Sequence, residues 1–398
     1  TLLLACGGGG TDRPPPQQIS NPPPANPAPT AAELSEASKL LARTTFGPSY
    51  GDIYAAADEG LEDWLDRQFA LPPSRHEPIV RRYLAEYGFD INANPPPGTF
   101  RRFAFYEQAL TAPDQLRQLV AYALSQIFVV SDNVDMIFIN PLALSSYYDM
   151  LLDNAFGNFR DLLEDVTLHP AMGLYLSHVN NARFNPVTNT FPDENYAREV
   201  MQLFSIGLFE LNPDGTFLLD GSNQPIPTYS NVEIREFSKI FTGLSYGQDI
   251  GSGPSFFGRE QPVLHVPMEM FEAYHEPGEK TLLNGFVVPD GQSGLEDIDD
   301  ALDNLFNHPN VGPFIGKLLI QRLITSNPSP EYVARVSAAF EGDGSTPRGD
   351  MVNVLRAILL DPEAEQGIKL REPFLRYLHM NRGLNVTSSD GTWPGYGY

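Results

Sequence analysis

The chain has 398 residues, of which 50 are acidic and 26 are basic, so its formal net charge at pH 7 is −24. A charge of this sign opposes non-specific binding to nucleic acid, and we expect no nucleic-acid partner. A single cysteine excludes an internal disulfide framework and a cysteine-rich zinc site. No apolar run approaches the roughly 20 residues that a membrane-spanning helix needs, so any membrane attachment must be made by another route.

The first residues resemble the end of a bacterial lipoprotein signal. Leu3 to Cys6 reads LLAC, which is similar to a lipobox, the motif whose cysteine becomes the lipidated first residue of the mature chain. We therefore expect residues 1–6 to end a signal segment, Cys6 to carry lipid, and the Gly- and Pro-rich residues 7–30 to form an extended tether. The alternative is an ordinary signal peptide that leaves an unused cysteine. The lipoprotein interpretation predicts an exported protein, anchored in the outer membrane and facing the periplasm or the cell surface.

Apolar residues at helical spacing predict a helix-rich domain over residues 31–398, incomplete at its C-terminal end. Helical patterns lie at 31–46, 61–69, 113–130, 141–153, 158–168 and 170–179, and again near 295–307, 311–325, 330–341, 350–360 and 372–382. The intervening residues 72–98 are richer in Pro and Asn, and 92–98 predicts a surface loop.

The densest group of ionisable side chains lies in the segment Asp193 to Gly207. Asp193 suits a helix N-cap and Gly207 suits a helix stop. Glu194 and Arg198 are i,i+4 neighbours, and Glu199 follows directly, so a carboxylate, a guanidinium and a second carboxylate are offered to one side. Two interpretations stay open: a catalytic or binding site, or a well-capped helix with a charged outer face.

The middle of the chain breaks the helical pattern. Turn residues predict a small β-hairpin within 208–230, and Ser230 with Glu233 predicts a capping box that opens another helix. Residues 245–295 are rich in Gly, Pro and aromatic side chains and predict a long irregular excursion over the helical body. The fold class is therefore mainly α: one large helical domain with a small β-hairpin and a long irregular excursion.

That excursion contains a second group of polar residues. His275, Glu276 and Lys280 place an imidazole, a carboxylate and an amine within six residues. His275 is a candidate general base, or a ligand for a metal shared with Glu276, although one histidine with one carboxylate does not make a metal site. The alternative is a solvated loop pair. We predict no metal and no cofactor, because the chain lacks the motifs of nucleotide-binding, zinc-protease and serine-hydrolase sites.

Three further residues are interpreted as structural. His169 and His308 each precede a proline at the start of a predicted helix, where an imidazole can bond to the backbone or to a neighbouring carboxylate. Arg43 lies between two apolar helix faces, and Glu194 or Glu199 is its expected partner.

Several segments together resemble a known bacterial family. In chain order they are ASKLLARTTFGP (37–48), LHPAMGLYLSHVNN (168–181), ENYAREVMQLFSIGLFELNPDG (194–215), YSNVEIREFSKIFTGL (229–244), YHEPGEKTLLNG (274–285) and FNHPNVGPFIGKLLIQRLITSNPSPEYVARVSAAF (306–340). The chain is similar, from about residue 34 to its end, to the family catalogued as domain of unknown function eighteen hundred. The resemblance implies an exported, mostly helical protein whose gene neighbours include a sulfatase-like exported family, a candidate source of a partner. Two positions depart from the family pattern: Glu276 replaces Asp, and Leu244 replaces Trp.

Two functions follow from these features. The first is a lipid-anchored binding or assembly component of the cell envelope. The second is a hydrolase of an envelope or extracellular polymer such as a glycan, with Glu194 or Glu199 as acid or nucleophile, Arg198 as a substrate contact, and the His275 loop supplying the base. Glu194 and Glu199 point about 140° apart on a regular helix, so a carboxylate pair would need Glu276 or another distant residue.

Overall fold

The computed structural model describes residues 28–90, 92–93, 96–247, 256–257, 262–366, 369–389 and 393. Cys6 and most of the predicted tether lie outside these residues. The described part is mainly α-helical, which confirms the predicted fold class. None of its helices has the length and apolar character needed to cross a bilayer.

Seventeen α-helices occur in the described residues. They are α1 Ala31–Thr44, α2 Tyr50–Glu59, α3 Leu61–Ala70, α4 Glu77–Tyr87, α5 Phe100–Thr111, α6 Gln115–Ser125, α7 Asp135–Ile139, α8 Pro141–Asn154, α9 Phe159–Leu168, α10 Pro170–Tyr175, α11 Asn195–Gln202, α12 Asn231–Ile240, α13 Gly294–Phe306, α14 Val311–Leu323, α15 Pro330–Glu341, α16 Met351–Leu359 and α17 Pro373–Gly383. Four of them begin with a capping box, among them the predicted Ser230–Glu233 pair. Each such cap contributes about 1 kcal/mol to helix stability.

One large apolar core joins the first helices to the last. It extends from Ala37 on α1 to Leu378 on α17, and α6 lies at its centre. Helix α6 is buried on nearly every side, from Gln115 to Ala121 without interruption, because its neighbours α1, α3, α5, α8 and α14 cover it. A helix that is covered all round has to satisfy its polar side chains internally. Gln118, for example, donates to the Ser74 carbonyl.

The strands of the described residues are short and lie in the predicted excursion or at its edge. Strand β1 (Leu244–Ser245) pairs antiparallel with β2 (Glu269–Met270), and β3 (Lys280–Thr281) pairs antiparallel with β4 (Val287–Val288). The hairpin predicted within 208–230 forms only isolated bridges, such as Leu211 with Phe217 and Leu219 with Pro225. The excursion is otherwise irregular among its described residues, as the sequence predicts.

Several predicted boundaries were wrong. The helix expected at 170–179 ends at Tyr175, because Ser177 adopts a left-handed backbone conformation with φ of +66°. Helix α4 was missed inside the proline-rich region, although its Pro78 occupies the first turn, where proline is tolerated. The helix expected over Asp193–Gly207 ends at Gln202. Gly207, with φ of +72°, closes the turns that follow.

The histidine and arginine predictions had different outcomes. His169 and His308 do bond to the backbone: Nδ1 of each accepts an N–H two residues on, from Ala171 at 3.2 Å and from Asn310 at 3.1 Å. The partner expected for Arg43 was wrong, because the carboxylate that acts on its charge is that of Glu365. The buried Nε of Arg43 has no hydrogen-bond partner among the described residues.

Candidate functional site

The charged face of α11 is half exposed and weakly paired. Arg198 Nη2 lies 3.4 Å from Glu194 Oε2, and both side chains are 40% exposed. An ion pair with this exposure contributes less than about 1 kcal/mol to stability. Partial burial raises the pKa of Glu199, an effect that the Arg198 charge partly offsets. The N-cap position falls on Glu194 rather than on Asp193, although Asp193 Oδ1 accepts the N–H of Asn195 at 2.7 Å.

The opposite face of α11 fixes the helix to the core. The Tyr196 ring stacks on the His178 ring with centroids 3.9 Å apart, and its hydroxyl hydrogen-bonds with Thr167 Oγ1 at 2.7 Å. His178 Nε2 donates to the Thr167 carbonyl at 2.8 Å. Burial lowers the pKa of His178 to about 4, so the ring is neutral at pH 7.

His275 and Lys280 meet at a buried carboxylate that the sequence analysis did not identify. His275 Nε2 lies 2.9 Å from Asp297 Oδ2, and Lys280 Nζ contacts the same oxygen. We call these three residues the Asp297 cluster. Their side chains are 5%, 3% and 2% exposed, in the order His275, Lys280 and Asp297. His275 Nδ1 donates to the Thr242 carbonyl at 2.9 Å, so both ring nitrogens are engaged.

The local backbone explains how these groups approach one another. Asp297 lies in the first turn of α13, where a helix N-terminus favours a carboxylate. Gly243 adopts φ of +89°, and a Cβ there would lie 3.1 Å from the His275 Cβ. A Cβ on Gly294 would lie 3.0 Å from the His275 Cγ. Glycine at both positions lets the imidazole lie against the backbone.

Glu276 is directed away from His275. Its Oε2 accepts the N–H of Phe184 at 2.7 Å, and its own N–H donates to Thr242 Oγ1 at 2.9 Å. The Arg183 N–H donates to the Tyr274 carbonyl at 2.8 Å beside it. Glu276 therefore attaches the loop after α10 to the excursion.

The structure thus divides the six predicted site residues into three groups. His275 and Lys280 are together in the Asp297 cluster, Glu194 and Arg198 pair on α11, where Glu199 also lies, and Glu276 binds the backbone of a loop. Among the described residues, no hydrogen bond joins Glu194 or Glu199 to His275. The catalytic roles assigned to the six residues stay predictions.

A groove lies where the motif segments meet, and we call it the asparagine groove. Its volume is about 690 Å³, and it is lined by Ser177, Asn180, Asn181, Ala182, Arg183, Phe184, Asn185, Pro186, Thr188, Thr190, Phe191, Asp193, Phe257, Ala273 and Tyr274. Asn181 organises it. The Asn181 Oδ1 accepts the Asp193 N–H at 2.8 Å, and its carbonyl accepts the Gly243 N–H at 2.9 Å. One asparagine therefore connects the segment before α11 to the turn between α12 and β1.

Aromatic rings flank this polar groove and stay accessible. Phe191 is 66% exposed and lies 4.7 Å from Phe184, centroid to centroid. On the other side Tyr274 is 36% exposed and stacks on Phe256 at 4.1 Å. Exposed rings of this size are costly to leave in water, and beside amides and hydroxyls they suit a ligand with both apolar and polar faces.

The described ranges contain no group of three or more His, Cys, Asp or Glu side chains arranged to hold a metal ion. Together, the helical core and the groove define a mainly α-helical protein with a polar, aromatic-flanked cleft.

The family model described as "Protein of unknown function (DUF1800)" matches residues 39–393, and the chain belongs to this family. No curated protein and no solved structure matches the chain.

Proposed function

We propose that this protein is a lipid-anchored glycan-binding component of the cell envelope, with the asparagine groove as its binding site. The observation that carries the proposal is the combination of exposed aromatic rings with amide, carboxylate and guanidinium groups along one groove. Sugar rings present C–H faces that pack on aromatic rings, and they present hydroxyls that pair with amides and carboxylates.

The chemistry of the groove suits a neutral or mixed-charge glycan. Arg183 and Asp193 bring one charge of each sign. The Oδ1 atoms of Asn180, Asn181 and Asn185 already accept hydrogen bonds from the protein, so these asparagines contribute mainly amide N–H donors to a ligand. The volume of about 690 Å³ is in the range of small-ligand sites. A lipid on Cys6 and a tether over residues 7–30 would hold this groove near envelope polymers.

Binding is tested by calorimetric titration of the full chain with chitotetraose, cellotetraose and soluble peptidoglycan fragments. Phe191→Ala should weaken binding of the preferred glycan at least about tenfold, the usual size of the loss of a stacked ring at a binding site. Phe217→Ala is the matched control, since Phe217 is also exposed, at 53%, and lies outside the groove. Failure of all three glycans to bind, or equal losses in the two variants, would refute the proposal.

Lipid attachment is tested separately in cells that express the complete gene. Labelling with an alkyne fatty acid should mark the protein, and Cys6→Ser should abolish the label and release the protein from the membrane fraction. Unlabelled protein would refute the lipid anchor and would not bear on glycan binding by the asparagine groove.

Glycan hydrolysis is the second candidate, favoured by two carboxylates near the groove. Asp193 lines it, and Glu276 bonds to the backbone of the lining residue Phe184. Product analysis after incubation with the same glycans distinguishes the two functions. Cleavage that Asp193→Asn or Glu276→Gln abolishes would establish an enzyme, whereas intact glycans support a binding role.

A further inference from the structure

A second cavity lies among α5, α6, α8 and α17, away from the asparagine groove, and we call it the arginine pocket. Its volume is about 450 Å³, and it is lined by His76, Arg101, Arg102, Phe105, Tyr106, Tyr122, Ser125, Val130, Leu144, Ser145, Tyr147, Tyr148 and Phe374. This volume is in the range of small-molecule sites. We propose that the arginine pocket binds a small aromatic monoanion, such as an aromatic carboxylate.

Six of the lining side chains are phenylalanine or tyrosine rings. Phe105 lies at the centre, with its centroid 6.0 Å from that of Tyr122, 5.6 Å from that of Tyr148 and 5.6 Å from that of Phe374. Such offset and edge-on arrangements are those in which a further ring packs favourably.

Most hydroxyls around the pocket are already used by the protein. Tyr122 donates to Glu372 at 2.9 Å, Tyr147 to the Phe128 carbonyl at 2.9 Å, and Tyr148 to the Gln118 carbonyl at 3.2 Å. The hydroxyls of Ser125 and Ser145 also donate to backbone carbonyls. Because these O–H groups already donate, the pocket offers few donors besides its two arginines, so it suits a ring with little hydrogen-bonding demand. This separates it from the asparagine groove.

The lining of the pocket contains two arginines and no carboxylate, in a chain whose net charge is −24. Glu372, which accepts the Tyr122 hydroxyl, lies outside the lining, and its charge acts on Lys369 and Arg371. Arg101 and Arg102 share one carboxylate, Asp132: Arg101 contacts it directly, and Arg102 Nη2 lies 3.5 Å from it. Two guanidinium groups face one carboxylate, which leaves one positive charge uncompensated. Burial and the nearby Arg102 charge lower the pKa of Arg101, against the opposing effect of Asp132. A ligand anion would therefore supply the second negative charge.

His76 adds no charge to the pocket. Gln118 Nε2 donates to Ser74 and Asp114, so Gln118 Oε1 is the acceptor for the His76 Nε2–H at 3.0 Å. Burial lowers the pKa of His76 to about 4, so the ring is neutral at pH 7. The anion must therefore bind at the arginine side of the pocket.

The test is a calorimetric titration of the full chain with 2-naphthoate and with its neutral analogue 2-naphthalenemethanol. Naphthoate should bind one to one and at least about tenfold more tightly than the alcohol, because a hydrogen bond between charged groups is stronger than one to a neutral hydroxyl. Arg102→Gln should remove that preference. Arg82→Gln is the matched control: Arg82 is 43% exposed against 45% for Arg102, and it likewise pairs with one carboxylate, that of Glu107, outside the pocket.

Three results would overturn the proposal: no saturable binding of naphthoate at millimolar concentration, equal affinity for the alcohol, or equal loss in the Arg82→Gln and Arg102→Gln variants. Thermal melts of both variants check that each remains folded. The outcome is independent of glycan binding, because the two sites share no lining residue.

Discussion

The Asp297 cluster and the arginine pocket are opposite in character. The cluster is closed, with side chains no more than 5% exposed, and two of its three residues, His275 and Lys280, come from the motif segment 274–285. The pocket is open, holds an uncompensated positive charge, and is built from helices that carried no recognised motif. Ionisable residues in a motif can therefore mark a structural requirement, while an accessible charged cavity forms without one. Four variants test this contrast.

The largest effect is expected at Asp297. Asp297→Ala leaves a buried ammonium without its carboxylate, which costs about 3–5 kcal/mol in the free energy of unfolding. Chemical denaturation measures this loss. Asp299→Ala is the control on the same helix: its side chain is 61% exposed and pairs with Arg160, so the loss should stay below about 1 kcal/mol. Similar losses in the two variants would show that the cluster does not stabilise the fold.

The next effect concerns His76 in the wall of the arginine pocket, which lacks the carboxylate partner of His275. Its folded pKa of about 4 lies below the usual 6.5, so its contribution to stability is complete above pH 6.5 and is lost as the pH falls towards 4. The loss amounts to about 3 kcal/mol at 1.36 kcal/mol per pKa unit. Denaturation at several pH values should show that the free energy of unfolding falls less steeply at acid pH in His76→Gln than in the natural chain. Parallel curves of stability against pH for the two chains would contradict the lowered pKa of His76.

A smaller effect is expected where the backbone supports the cluster. Gly243→Ala forces a side chain onto a residue with φ of +89° and places its Cβ 2.8 Å from the Met270 sulfur. We expect a loss of about 2–3 kcal/mol from the strained conformation and the crowding together. Gly278→Ala is the control, because φ is +88° there but no atom lies within 4 Å. Its loss should be only about 1 kcal/mol. Thermal melts would resolve the difference, and equal losses would show that the crowding at Gly243 has no cost.

The smallest effect is expected on α11. Glu194→Ala removes half of an exposed ion pair and should change the free energy of unfolding by less than about 0.5 kcal/mol. Denaturation under the same conditions tests this. A loss above about 2 kcal/mol would mean that the carboxylate has a buried role that its 40% exposure does not indicate.

The fold class was predictable because apolar periodicity specifies amphipathic helices locally. The capping box at Ser230 and the irregular excursion followed from the same local rules. The Asp297 cluster was harder to predict from the sequence. Asp297 was one acid among several in the run from Glu296 to Asp300. Asp297 lies four residues before Ala301, which is buried on the core side of α13. This spacing places both residues on the same helix face and could have identified Asp297 as buried.

The two cavities depended on tertiary packing, which no local pattern specifies. Arg102 became part of a pocket only because α5 lies against α8 and α17, and α5 itself was not predicted. Asn181 appeared in the sequence only as the last residue of the segment 168–181. In the structure its side chain binds the Asp193 backbone before α11, and its carbonyl accepts the Gly243 N–H. Such contacts between distant segments have no periodicity to reveal them.

The central claim, that the asparagine groove is the glycan site, is tested most directly by hydrogen–deuterium exchange. The full chain would be compared with and without the soluble peptidoglycan fragments or oligosaccharide that it binds. We predict slower exchange over 180–193 and 273–276, with no change over 101–106 and 144–148 in the arginine pocket. Protection confined to the arginine pocket, or no protection in either region, would contradict the account.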